Sequence, residues 1–247
     1  ESDFSETESP VKWSLRERAA MVDHSLTHKP GLSPDCDACL IGKTRDKRKM
    51  KGAFSREPQD FGDLGNMDHV HMKNWYHQSG VGGHPDAFNY LDTGTLCKYC
   101  VPVNSLDSGD TIEAMNDVKG TSEIKLIYCD GHTSLKSACK FLGIPRETSQ
   151  PGVHETNAVM ERCNGDILDG SRCSMYRAGT PESFWSWASP CFCHLDNIRE
   201  RIMKRKETTV DENGVSTTVT NEVWTSPWEL RHKEKFTGTA FPFGCKV

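Results

Sequence analysis

The run HSLTHKPGLSPDCDAC constrains this chain more than any other stretch of its sequence. His24 and His28 are four apart, so a helical turn puts both rings on one face. Cys36 and Cys39 form a CxxC knuckle whose tight turn aims two thiolates at one point. Two imidazoles and two thiolates suit a tetrahedral Zn²⁺ ion. Pro30, Gly31 and Pro34 lie between the pairs and let the chain reverse. Residues 11–42 hold too little apolar mass to fold without such a staple. The alternative is a chance cluster in a chain with eleven cysteines, but paired spacings at both ends favour a metal site. An odd cysteine count with no secretory leader argues against a disulfide framework and for a reduced, intracellular protein.

The other cysteines and histidines are weaker ligand candidates. Cys97 and Cys100 also form CxxC, but in a strand pattern, where positions three apart point to opposite faces. Cys191 and Cys193 lie two apart on an expected helix and diverge. His69 and His71 share one face of an expected strand, where a surface or core pair is the simpler reading.

Four stretches are expected along the 247 residues. Residues 1–42 are an acidic, Ser-rich tail and the His/Cys module. Residues 43–60 are a basic, then polar linker. Residues 61–202 carry alternating strand and helix patterns. Residues 203–247 are a Thr-rich insertion, where a hairpin about Asp211–Gly214 fits, followed by an aromatic extension. Opening at Glu1 rather than Met, the sequence reads as a segment of a longer chain. Within 61–202 the expected strands are Gly65–Met72, Phe88–Leu91, Cys97–Val103, Glu123–Cys129 and Pro145–Ser149. The expected helices run from about Asp110 to Lys119, Ser134 to Leu142, Asn157 to Ala178 and Pro181 to Arg201. Three strands, then alternating helix and strand, imply a mixed α/β sheet with helices on its faces. Gly165 and Gly170 each cost the third helix about 1 kcal/mol against Ala, so that helix needs tertiary support. No apolar run approaches the ~20 residues that span a bilayer.

Three carboxylates occupy positions where a strand or helix does not ask for them. Asp68 falls in NMDHVHM, Asp130 ends IKLIYC, and Glu161 lies one turn into the helix at NAVMER. From adjacent strand ends and a helix packed on the sheet, such groups can hold two divalent cations for phosphodiester chemistry. Oxygen ligands alone suit Mg²⁺ or Mn²⁺. By spacing alone, in a chain with 35 acidic residues, the simpler reading is that Asp130 opens a turn and Glu161 is solvated on its helix.

The order of these pieces resembles the integrase region of copia-like retrotransposons, from about His24 to Val247. The resemblance is carried by the HHCC module, CLIGKTR, MDHVHM, LDTGTLCKYCVPV, IYCDG, LGIPRETSQPGVHETNAVMERCNGDILDGSR, AGTPESFWSWA and SPWELRHKEKFTGTAFPFGCKV. Gly143–Arg162 is similar to the family pattern GI…S.P.TPQ.NGV.ER without gaps. The resemblance implies an RNase H-like fold: a mixed five-stranded sheet flanked by helices, preceded by a small helical zinc-binding module. It implies that Asp68, Asp130 and Glu161 are catalytic and bind two Mg²⁺ or Mn²⁺ ions, while His24, His28, Cys36 and Cys39 hold a structural Zn²⁺. It implies 3′-end processing of element DNA and its transfer into target DNA, by a homo-oligomer in the nucleus or a cytoplasmic retroelement particle. Asn157 and Arg162, beside Glu161, become candidates for donor-DNA contact. The sequence departs from the pattern in a shortened Asp130–Gly143 segment, in Glu155 and Ala158 before the catalytic Glu, and in His132 after Gly131.

The overall net charge of −5 leaves DNA contact to local patches. Lys43, Arg45, Lys47, Arg48, Lys49 and Lys51 crowd KTRDKRKMK directly after the zinc module. Such a run supplies phosphate affinity without reading sequence. A solvated linker and a nuclear-import signal are the other readings. The rival function is a catalytically decayed or domesticated integrase-derived module that still binds nucleic acid.

Overall fold

A computed structural model describes residues 14, 17, 22–29, 35–42, 58–148, 158–210 and 216–246. Two short helices open it, α1 (Val22–Thr27) and α2 (Asp37–Gly42). β1 (Gly65–Val70), β2 (Asp86–Asp92) and β3 (Lys98–Val103) then form an antiparallel meander. β4 (Ile127–Cys129) pairs parallel to β1, and β5 (Arg146–Thr148) parallel to β4. Parallel pairing needs a crossover, and α4 (Ser108–Lys119) and α5 (Thr133–Phe141) supply the two. The sheet order is β3-β2-β1-β4-β5. This is the mixed five-stranded sheet flanked by helices that the resemblance implies.

Alternation along the strands builds two cores. Met67, Phe88, Tyr90, Val103, Ile127 and Cys129 face α4 and α5, packing on Met115, Val118, Leu135 and Ala138. Val70, Ala87, Leu91 and Cys100 point the other way, toward α6 (Ala158–Ala178) and α7 (Trp185–Ile198). There Met160, Cys163, Ile167, Trp185 and Phe192 fill the second core. The tertiary support expected for α6 is visible at Gly170, where a Cβ would run into the Phe192 ring. The glycine lowers helix propensity and admits close approach of the next helix.

Several element bounds differ from expectation. β1 stops at Val70, and Met72–Tyr76 forms a short helix, α3. Met72 and Tyr76, four apart, are both buried, and His77 in the left-handed region ends the turn. The fourth strand is confined to three residues; ahead of it the Lys125 N–H donates to the Gly62 carbonyl and the Leu126 carbonyl accepts from the Gly65 N–H. The helix expected from Pro181 to Arg201 begins as a 3₁₀ turn at Glu182–Phe184 and ends at Ile198. Arg199 is extended and turns the chain into β6 (Arg201–Val210), which pairs antiparallel with β7 (Ser216–Thr225). The hairpin is present, and the expected 202/203 boundary falls inside its first strand. α8 (Pro227–His232) follows, capped by Ser226. Its Arg231 lies 3.9 Å from the Phe61 ring centroid and donates to the Val118 carbonyl, fixing the C-terminal extension to the α4 side.

Candidate metal centres

His24 lies on α1, and His28 follows it in the left-handed region (φ 54°), its N–H donating to the His24 carbonyl at 2.6 Å. Cys36 precedes α2 and Cys39 sits in its first turn. The four ligand atoms all lie within 4.8 Å of one another. Cys36 Sγ is 3.6 Å from His28 Nδ1, and Cys39 Sγ is 3.5 Å from His24 Nε2. Tetrahedral zinc with Zn–S near 2.3 Å and Zn–N near 2.05 Å sets S···N separations of about 3.6 Å. The donor set and its spacing therefore fit zinc. His24 turns its other ring nitrogen, Nδ1, to the Lys29 carbonyl at 3.2 Å, the outer partner that fixes a ligand imidazole's tautomer and orientation.

The second cluster lies on the α6–α7 face of the sheet. Asp68 sits in β1 between Met67 and His69, one residue beyond the last β1–β4 pair, Met67 and Cys129. Asp130 follows Cys129 directly. Since Met67 and Cys129 belong to the opposite core, alternation carries both carboxylates to the same face. Glu161 projects from the first turn of α6 and is exposed. Burial raises the Asp68 carboxyl from its ordinary value near 3.8 to about 6, with further upward pushes from the charges of Asp130 and Glu161. Two hydrogen bonds oppose that rise, one from Asn164 Nδ2 at 2.9 Å and one from the His69 N–H at 2.9 Å. The site is thus a concentration of negative charge whose members feel one another, and its oxygen donors suit a hard divalent cation.

Residues outside the sequence expectation hold these carboxylates in place. Asn164, three residues after Glu161 and so on the same helix face, donates to Asp68 and accepts from Asn89 Nδ2 at 3.0 Å. Asn89 stands opposite Asp68 in the β1–β2 register. A buried Asn in an apolar strand, in register with an Asp, is the signal that could have found this chain. Asp130 accepts from the His132 N–H at 2.9 Å, so the residue that breaks the family pattern fits the turn. Arg146 Nη1 donates to the Asp130 carbonyl at 3.2 Å. His69 bonds Thr111 Oγ1 and meets His132 edge-on. Burial, then His132, lowers its pKa to about 4, so it is neutral near pH 7.

Arg162 is exposed beside Glu161. Asn157, Glu155, Lys43, Arg45, Lys47, Arg48, Lys49 and Lys51 lie outside the described residues. His71 leaves the strand and pairs with Asp86 at 2.8 Å. Cys97, Cys100 and Cys193 are buried and Cys191 is half-buried. The shortened Asp130–Gly143 segment keeps a nine-residue α5 with Leu135 and Ala138 buried. Among the described residues no helix is long and apolar enough to cross a membrane.

No protein-family model matches the chain. Its sequence is 32% identical, over 90 residues, to the retrovirus-related Pol polyprotein from transposon TNT 1-94 of Nicotiana tabacum. That match covers 32% of this chain, which spans only 6% of the polyprotein. Among solved structures, a chain of the simian T-cell lymphotropic virus intasome in complex with PP2A regulatory subunit B56 gamma is similar. It has a TM-score of 0.52 at 14% identity, over 83% of this chain and 66% of that one. The catalytic core domain of BIV integrase gives a TM-score of 0.45 at 15% identity, over 70% of this chain and 95% of the core. At such identities the intasome likeness is one of fold.

Proposed function

We propose that this integrase-like chain, copia-like in its sequence, is a metal-dependent DNA strand transferase that trims the 3′ ends of element DNA and joins them to target DNA. What supports the reading is that the Asp68 carboxyl feels the charges of both Asp130 and Glu161. Asp68, Asp130 and Glu161 would hold two Mg²⁺ or Mn²⁺ ions. A divalent pair held by these residues would supply activation of a water or 3′-hydroxyl oxygen and charge stabilisation of the leaving oxygen in an in-line displacement. The chain's own residues then have defined tasks. Asn164 aims Asp68, Asn89 aims Asn164, and the His132 N–H and Arg146 hold the turn at Asp130. Arg162, with Asn157 and the basic run 43–51, offers phosphate contacts from either side of the site in sequence. No side chain is asked to form a covalent intermediate.

The test is a strand-transfer assay with a duplex ending in the element's terminal sequence, in Mg²⁺ and in Mn²⁺. Asp68→Asn, Asp130→Asn and Glu161→Gln should each abolish processing and joining while DNA binding persists. Wild-type protein that binds DNA and shows neither reaction would make it the non-catalytic, decayed module. Activity that survives all three substitutions would move the chemistry elsewhere.

A further inference from the structure

The N-terminal module does not stand apart from the catalytic sheet. α1 packs on α6 and α7, and α2 on α6. A Cβ on Gly42 would lie 2.5 Å from Cys173 Sγ, and that thiol donates to the Ala38 carbonyl at 2.9 Å. The approach is therefore backbone-close. Both α1 and α2 have six residues, too few to persist without tertiary support.

Lys29 ties the His/Cys cluster to the charged groups of the core. The carbonyl of Lys29 faces Nδ1 of the ligand His24, and its ammonium enters the core. There Nζ lies 2.8 Å from Asp166 on α6 and 2.8 Å from Asp196 on α7. Lys98 of β3 bonds the same two carboxylates, its Nζ 2.8 Å from Asp196. The Asn197 side-chain amide clamps the Lys98 backbone on both sides, at 3.0 and 2.8 Å. Arg201 reaches Asp196 at 3.1 Å, and Arg199 lies 3.6 Å from it. The Asp196 side chain is fully buried, and the Phe192 ring lies 5.5 and 5.8 Å from the two ammonium groups. Against the opposing effect of burial, Lys98, Lys29 and the arginines hold Asp196 well below the usual carboxylate range. Withdrawing one partner from so buried a cluster leaves charge uncompensated. Asp166 would keep Lys98 alone among the ammonium partners named here. It lies on α6, which also carries Glu161 and Asn164.

We propose that the face of α6 and α7 around Asp166 and Asp196 is the docking surface for the chain's own zinc module. Lys29 is the positioning residue of this contact, so zinc occupancy sets the order of the helix that bears Glu161. The inference rests on the zinc reading of His24, His28, Cys36 and Cys39, which orders the backbone at Lys29. Coupling of this kind is reciprocal: whatever zinc lends to the docked helix, the docking contacts return to zinc affinity.

The experiment uses the full chain in magnesium-free buffer, with zinc measured by elemental analysis and removed by a zinc-selective chelator. Hydrogen exchange over residues 158–178 should speed up on chelation and recover when Zn²⁺ alone is added back. Asp166→Asn lies outside the module and keeps all four ligands, yet should weaken zinc affinity by about tenfold, in the usual range of coupled sites. Lys29→Met should do the same. If Lys29→Met fails to fold, Asp166→Asn and wild-type exchange still decide. One bound zinc whose removal leaves exchange in 158–178 unchanged, or wild-type zinc affinity in Asp166→Asn, overturns the coupling and leaves the zinc site standing. Protein purified without zinc that binds none when it is supplied overturns both.

Discussion

At Asp68, a residue of the proposed cation site, the electrostatics disfavour the ionised carboxylate in the absence of a cation. Burial first, then Asp130 and Glu161, raise its carboxyl to about 6. A carboxyl whose pKa rises on folding favours the folded state fully below its unfolded value, and that contribution is lost as pH climbs through the folded value. The window here runs from about pH 4 to about pH 6. Without Mg²⁺ or Mn²⁺, Asp68→Asn should therefore be more stable than wild type by roughly 2 kcal/mol at pH 7.5. The gain should shrink toward zero as pH falls below 5. Urea unfolding at pH 5 and 7.5 checks this, and a pH-independent difference would mean that Asp68 is ordinarily ionised. Added Mg²⁺ should stabilise wild type more than the variant.

At the scale of elements, α6 and the zinc module make opposite demands. Gly170→Ala improves helix propensity by about 1 kcal/mol but drives a methyl into the Phe192 ring, and overpacking of this kind costs about 1–3 kcal/mol. The two nearly offset at the low end, so the expected outcome is destabilisation of up to roughly 2 kcal/mol, seen as a lower urea midpoint. A higher midpoint would show that α6 and α7 can separate at Gly170 without loss. The module depends on its ligands instead. Zinc contributes an apparent ~10–16 kcal/mol to small modules near neutral pH, so the chain should carry one zinc, lost in Cys36→Ser and in His28→Ala. Stoichiometric zinc in either variant would place the metal elsewhere.

For the molecule as a whole, the basic run 43–51 is the proposed source of unspecific DNA affinity. Replacing Lys47, Arg48 and Lys49 with Ala should weaken binding to every duplex alike and flatten the dependence of log affinity on log salt by about 0.9 per lost phosphate contact. Selective loss on one sequence would point to base reading. The clustering of His24, His28, Cys36 and Cys39 was legible because it is local: four donors within sixteen residues, at spacings that one helical turn and one knuckle dictate. Strands and helices of the sheet were legible from period, within a few residues at their ends. The exception was α3, a five-residue helix too short for a period to register. Asp68, Asp130 and Glu161 could be named from the order of motifs, but their common face depends on pairing Met67 with Cys129 across 62 positions. Tertiary structure alone brought Asn89 and Asn164 to Asp68, and Lys29 to Asp166 and Asp196. Hydrogen bonds and ion pairs between residues 75 to 167 positions apart leave no mark in local periodicity, because they form only after the sheet and its helices have packed.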